Sequence, residues 1–293
     1  MEMTTTTISA SALRSLLPQF HLRSLASPPS PPSPSPSKLR APLPTARHSS
    51  RHLPLLNPIY AAADHISASA SSTTQVMQLD QAFEVKKRAA EISGELKGTS
   101  IFLVGMKSNI KTSMGKILAD ALRYYYFDSD ELVEDAAGAD AGGKSFRERD
   151  EEGFCSSETE VLKQLSSMGR LVVCAGDGAV QSSTNLALLR HGISVCIDLP
   201  MDIIANNLME SLGGSASEMD RDKAVSQLIV QYNENKSGYA NSDVTVSLQK
   251  VALELGYEDM EMVTEEDMAL EVIKEIEKLT RVKKLLEDAA RPF

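Results

Sequence analysis

The chain has 293 residues, 42 % hydrophobic and 24 % charged, enough for one large globular domain or two small ones. Its net charge of −10 argues against general nucleic-acid binding, and with no apolar run of about eighteen residues no membrane span is expected. The three cysteines (Cys155, Cys174, Cys196) fit no zinc spacing and four of the five histidines precede residue 70, which argues against a Cys/His metal centre or a His-based triad.

In chain order, residues 1–63 come first. They hold one acid, Glu2, against six bases, so the rest of the chain carries about −15. The segment is rich in Ser, Thr, Pro and Arg, the composition of an organelle transit peptide. Its Ser/Pro bias and lack of an Arg-faced helix favour a plastid, and its Ser-Pro repeat cannot bury a core and is expected to be disordered. Residues 64–98 are predicted as a linker and helix, with the helix over 77–97. Residues 99–280 form the predicted catalytic-type domain, and 281–293 the end of the last helix and a tail.

Within that domain, "SIFLVG" (100–105) reads as a buried strand and 112–124 as a helix. "YYFDSD" (125–130) reads as a second strand, and 130–138 as a short helix stopped at Gly138. Residues 146–169 are predicted mostly helical. "RLVVCAGDGAV" (170–180) is a strand running into a glycine turn, 184–192 a helix, and 193–200 a strand. Helices follow over 201–212 and 221–240, then a last strand over 242–248 and a long amphipathic helix over 264–289. Alternating strands and helices with apolar strands predict a parallel sheet covered on both faces, an α/β three-layer domain. Ligands of such sheets bind beyond the carboxyl ends of the strands, and "GMKSNIKT", "DSD" and "AGDG" all fall there.

"GMKSNIKTS" (105–113) has the frame of a phosphate loop, with Gly105, Lys111 and Thr112 in place. Ile110 stands where a glycine is common, and a β-branched residue is the worst candidate for positive φ. Either the loop takes another shape or Ile110 fills the phosphate space. Asp128 and Asp130 suit a phosphotransferase, one holding Mg²⁺ and the other accepting a hydroxyl proton; the plainer reading is that Asp130 caps a helix. In "AGDGAV", Gly176 and Gly178 would let backbone N–H groups face an anion, whereas Asp177 would repel it. A plain turn is the simpler reading of that triplet.

The stretches "SIFLVG", "KILADALRYYYFDSDELVEDAAG", "ETEVLKQLSSMGRLVVCAGDGAV", "GISVCIDLP" and "YANSDVTVSL" resemble plant plastid shikimate kinase, from about residue 95 to 280. The resemblance implies a P-loop kinase fold that phosphorylates shikimate with ATP and Mg²⁺. It places Thr112 and Asp128 at the metal, Gly105, Lys111 and Thr112 at the nucleotide, and Asp130, Glu158, Gly176 and Gly178 at the substrate. It also implies losses: Ser108 and Ile110 stand for loop glycines, and Cys155 and Asn235 for substrate arginines. Asp177 stands for a glycine where the substrate carboxylate lies, and the arginine-bearing lid is missing. Among such proteins the chain is most similar to a divergent group regarded as inactive and associated with chloroplast development. The resemblance therefore implies a catalytically silent protein of the chloroplast stroma, acting by binding an unknown plastid protein or small molecule, with ATP and Mg²⁺ bound only if the loop retains affinity. A kinase acting on another small molecule is the alternative.

Overall fold

The computed structural model describes residues 69–138, 144–211 and 218–290. The expected leader over 1–63, part of the expected linker, the middle of the loop after residue 211 and the last three residues lie outside them.

A helix, α1 (Ser69–Leu96), leads into the body. Then follow β1 (Ile101–Val104), α2 (Asn109–Leu122), β2 (Tyr125–Asp128), α3 (Ser129–Ala137), α4 (Phe146–Arg149) and α5 (Glu151–Ser166). The second half runs β3 (Leu171–Cys174), α6 (Ser183–Leu189), β4 (Ile193–Asp198), α7 (Met201–Ser211), α8 (Glu218–Tyr239), β5 (Val244–Ser247), α9 (Leu248–Leu255), a 3₁₀ turn (Met260–Met262) and α10 (Glu265–Ala289).

The five strands form one sheet in the order β2-β3-β1-β4-β5, every pairing parallel. β1 and β3 are buried at every position, as strands covered on both faces must be. The strands alternate with helices along the chain, so the expected parallel α/β architecture holds. α10 shows how the sequence fixes one of these helices. Thr264 and Asp267 close a reciprocal capping box at its start. Met268, Ala269, Val272, Ile273 and Ile276 then recur at helical spacing and are fully buried. α1 runs beside α10 in the same direction, Gln81 donating to Asp267 and Thr280 to Glu95.

Several boundaries differ from expectation, each for a local reason. α2 starts at Asn109, ahead of the expected 112, because Ser108 caps it. β2 stops at Asp128, which caps α3 by accepting from the Asp130 and Glu131 N–H groups, so Asp128 and not Asp130 is the cap residue. The helical stretch 146–169 is broken at Asp150, which ends α4 and caps α5. α9 follows β5 without an intervening turn. Cys174 and Cys196 are buried in β3 and β4.

Candidate active site

Because all strands are parallel, the segments after β1, β2 and β3 meet at one edge of the sheet. Gly105 turns the chain out of β1 at φ +128°, and a Cβ there would collide with the Ile197 carbonyl, so only glycine fits. The next residues do not form an open nest. Ser108 takes an extended conformation, its Oγ accepts the Lys111 N–H at 3.2 Å, and its carbonyl accepts the Thr112 N–H at 3.3 Å. Helix α2 thus begins early enough to carry Ile110 in its first turn, where positive φ is not required. Of the two outcomes open to the sequence, a differently shaped loop is the one adopted.

Lys111 is 3 % exposed. Its ammonium donates to the Gly105 carbonyl at 2.7 Å and the Ala175 carbonyl at 3.0 Å. The lysine thereby ties the loop after β1 to the end of β3 instead of standing free above the helix. Thr112, partly buried, follows it on α2.

On the β2–β3 side the structure gathers Asp130, Glu158, Asp177 and Asn235, all buried, around Gly176. The residue that organises them is Arg147, which the sequence reading did not single out. Glu134 on α3 accepts the Phe146 and Arg147 N–H groups and so fixes α4. The Arg147 guanidinium lies 4.2 Å over the Phe154 ring. From there it donates to Asp177 at 2.9 Å and to Asp130 at 3.1 Å. Gln231 donates to the other Asp177 carboxylate oxygen at 2.7 Å, and Asn235 and Tyr239 donate to the Asp177 carbonyl. Behind this layer the Gly176 N–H donates to Ser129, which donates to Glu158. A Cβ at residue 176 would strike Asp130 and Glu158, so the glycine is sterically required, whereas residue 178 faces open space.

Asp177 does not stand unpaired, as the motif alone suggests: it shares the Arg147 guanidinium with Asp130. A cation also remains beside Phe154 although residue 155 is an exposed cysteine, because α4 supplies it in trans to that helix. The sequence did carry a signal. Ser145 caps Glu148, and Asp150 then caps Gly153. Two caps five residues apart force a break that aims Arg147 inward.

The electrostatics follow the geometry. Burial pushes the Glu158 carboxyl up to about 7, with the Asp130 charge adding to the effect. Asp130 is also raised, by burial first, with Arg147 opposing. Burial works against Asp177 too, but the charge and hydrogen bond of Arg147 outweigh it and hold that carboxyl low. Arg147 loses hydration, yet Asp130 and Asp177 keep it firmly protonated.

Among the described residues no group of three or more His, Cys, Asp or Glu could hold a metal ion, and no helix is long and apolar enough to cross a membrane. One oxygen of Asp128, an expected metal partner, is already committed to the α3 cap.

Comparison with known proteins agrees with this architecture. The family model described as shikimate kinase matches residues 108–277. A protein of Arabidopsis thaliana named "Probable inactive shikimate kinase like 1, chloroplastic" is 56 % identical over 77 % of this chain and 79 % of its own length. The chloroplastic shikimate kinase 2 of Oryza sativa subsp. japonica is 35 % identical over 76 % of this chain and 73 % of its own. In structure, a shikimate kinase of Acinetobacter baumannii, solved in complex with shikimate, aligns over 65 % of this chain and 97 % of its own with a TM-score of 0.51. At 23 % identity that likeness speaks to the fold alone.

Proposed function

The chain belongs to the shikimate kinase family, and we propose that it has lost phosphoryl transfer to shikimate and serves in the chloroplast stroma as a non-catalytic binding or regulatory protein required for chloroplast biogenesis. One observation carries this reading: the carboxylate of Asp177 lies on the Arg147 guanidinium at 2.9 Å. The family holds the carboxylate of its substrate in that region. Here the chain's own carboxylate occupies the cation, and an incoming one would have to displace a buried, hydrogen-bonded pair at a cost of a few kcal/mol.

The nucleotide side points the same way. The residues present do not fit a nucleoside triphosphate with Mg²⁺. The Lys111 N–H is capped by Ser108, and the Lys111 ammonium is held by two carbonyls. Neither the Lys111 N–H nor its ammonium is left open to grip a phosphate, and no step is assigned to ATP. Loss of lid arginines alone removes on the order of 10³-fold or more from phosphoryl transfer. The chloroplast setting is supported by the printed names of the relatives and by the composition of residues 1–63.

The decisive test uses plants lacking this chain. Their chloroplasts are expected to be defective and to be restored equally by the wild-type chain and by Lys111→Ala. Failure of a Lys111→Ala chain that accumulates in the chloroplast and keeps the wild-type circular dichroism would mean that the role needs phosphoryl transfer. In a bacterium deprived of its shikimate kinase, neither the wild type nor Ile110→Gly/Cys155→Arg should support growth, because Asp177 and the missing lid still oppose catalysis. Growth with the wild type would overturn the reading.

A further inference from the structure

α10 outruns the helix beside it. α1 accompanies it from the Gln81–Asp267 contact to the Glu95–Thr280 contact and ends at Leu96. α10 continues to Ala289, and every residue from 281 to 290 is exposed. Along its first half the apolar side chains Met268, Val272, Ile273 and Ile276 are buried on one face. Val282, Leu285 and Leu286 in the last turns are 54 %, 69 % and 66 % exposed. At about 100° per residue they lie together on a different face, turned by roughly a third of a turn from the buried one. Lys283, Lys284, Glu287 and Asp288 instead line the groove between α10, the end of α1 and the loops before β1 and β4. The helix end thus gives its polar side to the body and its apolar side to solvent, the reverse of ordinary amphipathic packing.

The charges on this segment follow an order that the helix itself does not favour. Arg281, Lys283 and Lys284 come first, Glu287 and Asp288 last. Acids in the last turn meet the negative end of the helix dipole, and a base four residues ahead of an acid is the weaker order for a pair along one helix. Against an antiparallel copy of the same segment the order becomes favourable. With Leu285 crossing the Leu285 of a second copy, Lys283 stands opposite the second copy's Glu287 on one side of the apolar stripe. On the other side Arg281 comes within one residue of the second copy's Asp288.

We propose that this chain pairs with a second copy of itself through Val282, Leu285 and Leu286, antiparallel about a two-fold axis at Leu285. The basic half of each segment then lies on the acidic half of the other. Such a self-complementary contact is closed, so it gives a dimer and not a filament. Two helical turns bury less than the about 1,200 Å² in total that stable complexes show. Association is therefore weak, with a dissociation constant on the order of 10 µM. The contact lies at the sheet edge opposite the Arg147 cluster and does not depend on whether that pocket is catalytic.

The test is sedimentation velocity on the full chain from about 1 to 200 µM, which brackets that constant. The wild type should show a monomer–dimer equilibrium, and Leu285→Asp should stay monomeric at every concentration. Arg281→Glu/Lys283→Glu and Glu287→Lys/Asp288→Lys, all at exposed positions, should each weaken self-association by about 10-fold or more, since each sets like charges opposite one another. An equimolar mixture of these two variants should form a heterodimer at least as tight as the wild-type dimer. Unchanged circular dichroism separates loss of the contact from loss of the fold. A wild-type chain that is monomeric throughout overturns the proposal; if it then co-sediments with vesicles of phosphatidylcholine and phosphatidylglycerol, the stripe belongs to a membrane surface instead. A dimer that survives Leu285→Asp, or a mixture no tighter than its components, overturns it as well.

Discussion

Replacing Arg147 by methionine keeps most of the side chain's bulk over Phe154 and removes only its charge and donors. Asp130 and Asp177, with side chains 10 % and 7 % exposed, then lose their shared cation, and buried Glu158 stands behind them. Breaking a buried ion pair from one side costs about 3–5 kcal/mol. Arg147 is itself 32 % exposed, and Gln231 still serves Asp177, so ~2–4 kcal/mol is the appropriate range. Against a total stability of about 5–15 kcal/mol this is a large loss, and in a domain of this size it lowers Tm by roughly 4–16 °C. The pH dependence identifies the cause. Asp130 and Glu158 have raised values and shed their charge first on acidification. The deficit relative to wild type should therefore be markedly smaller at pH 5.5 than at pH 8. Urea unfolding at both pH values measures it, and adding Asp177→Asn to Arg147→Met should recover part of the loss at pH 8. A deficit under about 1 kcal/mol at pH 8, or one that grows on acidification, would refute the claim that Arg147 organises the pocket.

Glu158→Gln tests the same cluster from below. A carboxyl raised to about 7 from an ordinary 4.5 binds its proton more tightly in the fold than in the unfolded chain. It therefore lowers stability as pH rises from about 4.5 to 7, by up to ~3 kcal/mol. The glutamine variant should remove that decline, so its advantage over wild type grows across this window and levels off above it; a parallel pair of stability curves would contradict the assignment. Gly105→Ala, at φ +128° and against the Ile197 carbonyl, should destabilise by several kcal/mol or abolish folding, read by circular dichroism, and a near-neutral result would mean the β1 turn can rearrange.

The parts of the fold legible from residues alone were those with strong periodicity. The buried strands 101–104 and 171–174 and the amphipathic α10 fall where apolar spacing places them. α9 escaped because Ser247 ends β5 and begins the helix with no Gly or Pro between. The site residues named from motif positions, Lys111, Asp128, Asp130, Glu158, Asp177 and Asn235, do lie along the same sheet edge. What the motif could not give is the partner of each charge. Asp177 reads as an unpaired anion in one dimension, because the cation that meets it is thirty residues away on a four-residue helix. Ile110 likewise reads as a misfit until Ser108 is seen to start the helix ahead of it.

Ser108 and Ile110, and likewise Arg147 and Asp177, are therefore better understood as pairs than as separate lesions. Ser108 alone would cap a loop that still had a glycine to reach phosphate. Ile110 alone would strain a loop that still needed positive φ. Together they make a stable helix start closed on itself. In the same way Asp177 without Arg147 would leave a buried like-charge cluster with Asp130 and Glu158, and Arg147 without Asp177 would free one guanidinium nitrogen for an external anion while Asp130 holds the other. Each pair keeps its polar groups bonded within the protein. The order of restoration follows from that logic: opening the pocket to an anion requires removal of Asp177 with Arg147 retained. Asp177→Gly should consequently gain affinity for small carboxylates where Cys155→Arg, with the Asp177 carboxylate still in place, should not.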